Sequence, residues 1–232
     1  FDYQIKNKPH GEESYQLIIS ALPKDVVEGY SGVFAEAGLS PLSFEVEAQA
    51  LTRALVPFEE TGTVMVVDFG RIRSGFSVAT AGSVRFTATV RIGGDTLVKA
   101  IQDKFNFAEE QARQLKEKDG LSTFSKNNDL FSALTPVVSL LRDEIVKYYN
   151  YWQTHKDNVA HPIEKIILTG GDANVPGIIE HLSRGLPVPL VLGDPWANVG
   201  GSKKNVPEIH YRHSLRYATA IGLALARVTR SH

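Results

Sequence analysis

Apolar runs and amphipathic segments alternate along most of the 232-residue chain. Short apolar or alternating runs predict strands at residues 15–22, 41–46, 64–67, 76–79, 84–91, 166–169 and 188–192. Apolar residues at helical spacing predict helices at residues 23–38, 47–55, 95–105, 108–118, 130–152, 174–182 and 215–228. Strands and helices that alternate in this way indicate an α/β fold.

Glycine-bearing turns follow two of the predicted strands and precede one of the predicted helices. The apolar strand at 64–67 leads into Asp-Phe-Gly at 68–70, and the strand at 166–169 leads into Gly170-Gly171. A second glycine pair, Gly93-Gly94, precedes a helix. The two pairs share the order strand, Gly-Gly-Asp, helix, which is compatible with a duplicated α/β plan, although the flanking residues do not match.

Asp68 carries the first candidate chemistry, because open α/β sheets bind ligands at the carboxyl ends of their strands. A carboxylate there would hold a hydrated Mg²⁺ that bridges to phosphate oxygens. Gly70 leaves room for backbone N–H groups to approach those oxygens, and Ser74 could donate a hydroxyl. The structural alternative is an ordinary Asp-Gly turn. A kinase is excluded because its other motifs are absent.

Gly170 and Gly171 carry the second candidate chemistry. Without side chains, they would let a ribose or an adenine ring lie against the backbone, beside the N-terminus of the next helix, with Asn174 as its predicted N-cap. Alone, the pair is equally compatible with a common β–α turn. The order of the motifs along the chain is therefore more informative than any one of them.

Composition excludes several classes of partner and chemistry. The formal net charge is −1, which gives no basic surface for a nucleic acid. There is no cysteine, which excludes disulfides and thiolate chemistry. No apolar stretch approaches the roughly 20 residues that span a bilayer. The chain starts at Phe1 and its one methionine is Met65, so we expect that N-terminal sequence has been removed.

The ordered motifs resemble those of the actin-like ATPase superfamily, which includes actin, heat-shock-70 proteins and FtsA. They comprise the Asp-x-Gly hairpin, the Gly-Gly-Asp turn, a helix with Glu-Glu-Gln-Ala-x-x-x-Lys, Leu-Thr-Gly-Gly-x-x-x-x-x-Pro-Gly, and Tyr-Ala-Thr-Ala-x-Gly-Leu-Ala. The chain is most similar to the PilM family of type IV pilus assembly proteins. The resemblance covers nearly all of it.

The resemblance implies a two-lobed α/β, actin-like (ribonuclease-H-like) ATPase fold. Residues 1–46 would form a 1C-type (SHS2-like) subdomain. Residues 47–95 and 161–232 would form subdomain 2A with remaining 1A elements, and residues 96–160 would form subdomain 2B. The phosphate-1 hairpin of the family is missing from the chain, so we expect these residues alone to bind ATP weakly or not at all.

The resemblance also assigns roles to individual residues. Asp68 corresponds to the phosphate-2 aspartate, which holds Mg²⁺ through water, and Gln49 falls where the family keeps a water-positioning residue, so these two are the catalytic candidates. The implied nucleotide-binding residues are Asp68, Gly70, Arg71, Ser74, Gly93, Gly94, Lys116, Gly170 and Gly171. Lys116 would contact the base. Arg71 and Arg113 depart from the family pattern.

The implied function is that of an ATP-binding cytoplasmic adaptor, peripheral to the bacterial inner membrane, in the type IV pilus platform. Its cofactors would be ATP and Mg²⁺, with at most slow hydrolysis. Its partners would be the cytoplasmic tail of a PilN-like membrane protein, pilus motor ATPases and a second copy in a homodimer. Open alternatives are an FtsA-like division or filament-forming protein, a scaffold without nucleotide, and a metal site at His210-x-x-His213.

Overall fold

The computed structural model describes residues 2–5, 17–122, 128–155, 158, 160–200 and 207–226 of the chain. It divides into two units, Phe1–Glu47 and Ala48–His232. The finer division into subdomains 2A and 2B stays a prediction. Within the described ranges, no helix combines the length and the apolar character needed to cross a membrane.

The first unit contains a two-stranded antiparallel sheet and one helix. Strands β1 (Asp2–Ile5) and β2 (Leu17–Ser20) pair along their whole length. Helix α1 (Lys24–Glu36) follows and ends before Gly38, whose φ of +70° suits glycine. The described part of the strand predicted at 15–22 and the helix predicted at 23–38 are thus confirmed.

The strand predicted at residues 41–46 is wrong, because these residues adopt no regular secondary structure. Their alternating pattern is that of a strand, but a strand also needs a partner for its backbone groups. Leu42 is 72% exposed, so the apolar side of the pattern is not buried here. The strand that pairs with β2 in this unit is β1, which is short and was not predicted from the hydrophobic pattern.

The second unit is built on a five-stranded sheet in the order β5-β4-β3-β6-β7. Its strands are β3 (Thr63–Phe69), β4 (Ser74–Thr80), β5 (Ser83–Val90), β6 (Ile163–Thr169) and β7 (Leu190–Leu192). Strands β3, β4 and β5 form an antiparallel meander, whereas β6 and β7 continue the sheet from β3 in parallel. All five were predicted, the last one longer than it is.

Helices cover both faces of this sheet. They are α2 (Glu47–Leu55), α3 (Gly94–Phe105), α4 (Glu109–Lys118), α5 (Asn128–Thr154), α6 (Ile178–Leu182), α7 (Tyr211–Ser214) and α8 (Ala218–Ala224). Met65 and Val67 on one face of β3 belong to the main core, which includes residues of α3, α5 and α6. Val64 and Val66 on the other face belong to a smaller core with α2 and α8.

Two predictions about helix ends are corrected. Asn174 does not cap α6, because Gly171–Asn174 form a 3₁₀ helix and Gly177, at φ +76°, precedes α6. The Asn174 side chain instead donates hydrogen bonds to the carbonyls of Gly171 and Arg212, at 3.2 and 2.8 Å. The helix predicted at 215–228 begins with a 3₁₀ turn, Leu215–Tyr217, and continues as α8. Its last two residues lie outside the described ranges.

Candidate functional site

A cavity of about 580 Å³ opens beside the 3₁₀ helix that follows β6. This size lies within the range of roughly 300–1,000 Å³ that is typical of small-molecule sites. Its walls come from the β3–β4 hairpin, α4, the 3₁₀ helix and the segment around α7. The lining residues are Arg71, Arg113, Lys116, Glu117, Gly171, Asp172, Asn174, Val175, His210, Arg212, His213 and Arg216.

The two glycines that follow β6 meet different surroundings. Gly170 has φ +94°, and a Cβ there would lie 2.5 Å from both the Asp68 carboxylate and the Phe69 carbonyl oxygen. This contact follows from the parallel pairing of β3 and β6, which aligns Asp68 with Thr169. At Gly171 the nearest atom to a Cβ is in the flexible Arg216 side chain, at 3.5 Å. Gly170 therefore serves the close approach of the strands, whereas Gly171 lies on the cavity wall.

Backbone hydrogen bonds fix the β3–β4 hairpin to the start of α3. The N–H of Gly94 donates to the carbonyl of Gly70 at 3.0 Å, and the N–H of Asp95 donates to the carbonyl of Arg71 at 2.8 Å. The Ser74 hydroxyl is fully buried and donates to the carbonyl of Ile92 at 2.6 Å. A contact of Ser74 with phosphate, as the resemblance implied, would require this bond to break.

Lys116 and Asp172 form a buried ion pair that joins α4 to the 3₁₀ helix. The two residues are 3% and 8% exposed. The Asp172 carboxylate also lies against the first residue of α3, because a Cβ on Gly94 would come within 2.0 Å of it. The Lys116 ammonium thus already has a carboxylate partner, and the base contact implied for it stays a prediction.

Four charged side chains form a network at the edge of the cavity, Arg71, Asp95, Glu109 and Arg113, which we call the mouth network. The Arg71 Nε donates to both Asp95 carboxylate oxygens, at 3.0 and 3.1 Å. Glu109 Oε1 lies 2.5 Å from Arg113 Nη2 and 3.6 Å from Arg71 Nη2. The hydrogen bond to Glu109 is the main cause of a raised pKa at the Arg113 guanidinium.

The cavity wall is positively charged although the chain as a whole is not. It contains five cations, Arg71, Arg113, Lys116, Arg212 and Arg216, against two carboxylates, Glu117 and Asp172. Among the described residues, Arg212 and Arg216 form no ion pair. Such a concentration of guanidinium groups favours an anionic ligand.

The metal alternative at His210 and His213 gains no support. The two rings lie 5.8 Å apart between centroids. Within the described ranges, no three His, Cys, Asp or Glu side chains are grouped in a way that could hold a metal ion. A Mg²⁺ would therefore depend on Asp68 through water and on the oxygens of its own ligand.

Of the residues proposed from the sequence, Arg71, Lys116 and Gly171 line the cavity. Gly170 packs against Asp68, and Gly94 donates a hydrogen bond to the carbonyl of Gly70 and lies against Asp172 of the cavity wall. Gly93 and Ser74 belong to the same hairpin junction. Gln49 lies on α2, whose buried residues pack against the other face of the sheet.

The sequence analysis missed Arg212 and Arg216 as site residues. Both lie in a short basic segment, and the signal that could have found them is the density of Arg and His between residues 210 and 216.

The residues present fit an adenine nucleotide. The cavity is large enough, a glycine faces it where a ring could approach the backbone, and the cations match phosphate charge. Gly171, Arg212 and Arg216 would hold the nucleoside end if the base lies against the 3₁₀ helix. Arg71 and the hairpin backbone would then be closest to the phosphates.

Comparison with known proteins identifies similar chains. The sequence matches the family described as "Type IV pilus assembly protein PilM" over residues 1–228. A solved PilM-PilN type IV pilus biogenesis complex matches with a TM-score of 0.77 and 20% identity, over 97% of this chain and 65% of that chain. This chain thus spans slightly less than two thirds of that protein.

Two further structures share the fold at low identity. The ethanolamine utilization protein EutJ from Carboxydothermus hydrogenoformans matches with a TM-score of 0.58 and 22% identity, over 84% of this chain and 59% of that one. MreB5 of Spiroplasma citri bound to ADP matches with a TM-score of 0.68 and 13% identity, over 91% and 68%. These likenesses confirm the actin-like ATPase fold expected from the motifs.

Proposed function

Because the chain belongs to the PilM family of type IV pilus assembly proteins, we propose that it is an ATP-binding adaptor of the pilus platform. Family membership supports the role in pilus assembly. The observation that supports ATP binding is the cation-rich cavity beside Gly171, at the carboxyl ends of β3 and β6. An MreB5 of the same fold has ADP bound, which makes a nucleotide the natural anion to test.

The proposal gives each part of the cavity a task. Gly171 on the cavity wall lets the nucleoside approach the backbone, and the exposed cations neutralise its phosphates. Asp68, half-buried at the end of β3, would hold a Mg²⁺ through water. The bound Mg²⁺ would neutralise phosphate charge. We propose at most slow hydrolysis, below roughly 1 s⁻¹, the low end of typical enzymes, because an adaptor needs bound nucleotide and not its turnover.

The proposed partners follow from the family. A solved relative is a complex of PilM with PilN, so we propose that this chain binds the cytoplasmic tail of a PilN-like inner-membrane protein. In this arrangement the protein is cytoplasmic and reaches the inner membrane through its partner. Contact with a pilus motor ATPase and formation of a homodimer belong to the same proposal.

The nucleotide part is tested with Asp68→Ala in the intact protein. We expect Mg-ATP to bind at least tenfold more weakly, which is about 1.4 kcal/mol, with little change in melting temperature, because Asp68 is only half-buried. Calorimetric titrations with ATP, with and without Mg²⁺, measure this. The same titrations with a PilN tail peptide, with and without Mg-ATP, test the adaptor role.

Asp103→Ala is the matched control, because Asp103 is an exposed carboxylate on α3 that pairs with Lys99 on its own helix. It should leave Mg-ATP affinity unchanged. Equal Mg-ATP affinity in wild type and Asp68→Ala would remove Asp68 from the site. A wild-type protein that binds the PilN peptide but no nucleotide would instead be a scaffold without ATP.

A further inference from the structure

The mouth network combines two guanidinium groups that line the cavity with two carboxylates that hold them. Arg71 comes from the β3–β4 hairpin, Asp95 from the first turn of α3, and Glu109 and Arg113 from α4. Glu109 Oε1 is shared between both arginines, and Asp95 Oδ1 lies 3.0 Å from Arg71 Nε and 3.7 Å from Arg113 Nη2. Each cation therefore has two anionic neighbours, and the network is neutral in sum.

We infer that Glu109 and Asp95 compete with a phosphate-bearing ligand for Arg71 and Arg113. The ligand must displace these carboxylates from the two guanidinium groups in order to bind. This inference rests on the proposed nucleotide function and adds a control of affinity to it. In the unliganded protein, the two carboxylates satisfy the guanidinium groups. When a polyphosphate enters, its oxygens replace Glu109 at the two guanidinium groups.

Because the network is exposed, this exchange of partners requires little free energy. Arg71 and Glu109 have side chains that are 62% and 61% exposed, and Asp95 is 42% exposed. Ion pairs between such exposed groups contribute little, because water and salt screen them and long side chains lose entropy. A polyphosphate offers several charged oxygens to the same planar guanidinium forks, so it can outcompete a single carboxylate.

The buried Lys116–Asp172 pair in the same cavity shows why the ligand competes for the arginines of the mouth network and not for Lys116. The Lys116 side chain is 4% exposed and is held by Asp172, so releasing it would leave a buried carboxylate without its cation. Arg113 is intermediate, at 23% exposure, and lines the cavity while it is paired with Glu109. The arginines at the mouth are therefore the cations that a ligand can recruit from a partner.

The test is Glu109→Gln in the intact protein, titrated with ATP, inorganic tripolyphosphate and adenosine. Removing the shared carboxylate should tighten ATP and tripolyphosphate binding about two- to fivefold, the range that one exposed ion pair allows. Adenosine is uncharged and should bind as it does to wild type. Arg71→Ala should weaken ATP binding about tenfold. Adding Glu109→Gln to Arg71→Ala should then tighten ATP binding less than Glu109→Gln does in wild type.

Glu110→Gln is the matched control. Glu110 is the next residue in the first turn of α4, and its carboxylate accepts a hydrogen bond from Gln114 and acts on Arg113 only through charge, without an ion-pair contact. This variant loses the same charge at the same helix N-terminus, so its smaller effect on ATP affinity isolates the competition. A gain in Glu109→Gln that equals the gain in Glu110→Gln would reduce the effect to long-range charge and overturn the inference.

The outcomes separate this inference from the proposed function. If wild type binds ATP and Glu109→Gln binds it no more tightly, the competition is refuted and the nucleotide function stands. If tripolyphosphate binding tightens in Glu109→Gln while adenosine adds nothing to affinity, the competition stands and the ligand is a polyphosphate without a base. If wild type binds neither ATP nor tripolyphosphate, both proposals fail.

Discussion

The two sides of the cavity are built on different principles. On the turn side, Gly170 packs against Asp68, and the Asp172 carboxylate lies between Gly94 and Lys116 with almost no exposure. On the mouth side, the charged groups are largely exposed and share partners. The turn side has one arrangement fixed by packing, whereas the mouth side can exchange partners at low cost.

This difference predicts where mutations will act. Substitutions on the turn side should first lower the free energy of unfolding, because a buried side chain that does not fit destabilises the folded protein whether or not ligand is bound. Changes on the mouth side should appear as altered ligand affinity in a protein that folds as before. The following experiments test that division, beginning with the largest expected effect.

Gly170→Ala should be the most destabilising change. The residue would have to adopt φ +94°, which costs an L-amino acid about 1–3 kcal/mol. Its Cβ would also lie 2.5 Å from the Phe69 carbonyl oxygen, and such overpacking costs typically another 1–3 kcal/mol. We expect the free energy of unfolding, measured by urea denaturation, to fall by about 2–6 kcal/mol.

The neighbouring glycine is the control for this change. Gly171→Ala meets only the Arg216 side chain at 3.5 Å, which is ordinary contact, so its unfolding free energy should stay near that of wild type. Its methyl group would nevertheless point at the cavity and weaken adenine nucleotides, and Gly171→Val should abolish their binding. Equal destabilisation by the two alanines would refute the separate roles assigned to the glycines.

Asp172→Asn should have the next largest effect. The amide keeps the shape that fits beside Gly94, but it leaves the Lys116 ammonium buried without its carboxylate. Removing one partner of a buried ion pair typically costs about 3–5 kcal/mol. Thermal or urea unfolding of the ligand-free protein measures this loss.

An exposed pair provides the contrast. Glu144→Gln removes the carboxylate partner of Lys147, which is 60% exposed on α5, and should leave the free energy of unfolding close to that of wild type. Adding Lys116→Met to Asp172→Asn should restore part of the lost stability, because no buried charge then remains unpaired. If Asp172→Asn costs no more than Glu144→Gln, the pair is not the anchor of the turn side.

The same division explains how much the sequence could predict. On the turn side, Gly170 and Gly171 were visible as a glycine pair after an apolar strand, but the sequence analysis assigned both to the nucleotide, whereas the structure packs Gly170 against Asp68 and Phe69. The strands and helices of the sheet were foreseen because burial imposes a regular apolar period. The strand predicted at 41–46 failed because alternation does not reveal whether a partner strand exists.

The mouth side left a weaker mark in the sequence, because Arg71 was named only through the family resemblance and Arg113 only as a departure from it. Arg71 lies in the β3–β4 hairpin, whereas Glu109 and Arg113 form an i,i+4 pair on α4, and an exposed charge fits a solvated surface as well as a site. Arg212 and Arg216 reach the cavity only because the chain returns after β7. For Lys116, the spacing placed it on α4 but could not show that Asp172, 56 residues away, would hold its ammonium.

The smallest predicted effect concerns His181 on α6, the helix that follows the turn side. Its side chain is 7% exposed, its Nε2 has no hydrogen-bond partner among the described residues, and its ring lies 4.8 Å from that of Phe131. Burial is the main cause that lowers the pKa of His181 below 6.5. The nearby Arg184 and Arg142 lower it further, and Glu180 partly opposes them.

A lowered pKa in the folded state means that the unfolded chain binds a proton first as the pH falls. Stability from this group is therefore full above about pH 6.5 and declines as the pH drops from there towards the folded-state pKa, by at most about 1.4 kcal/mol per pH unit. His181→Gln should remove this part of the decline between pH 7.5 and pH 5.5 in urea unfolding. His213→Gln, which changes an exposed histidine at the cavity, should keep it. If His181→Gln and wild type lose equal stability over this range, the buried imidazole is not the group that titrates.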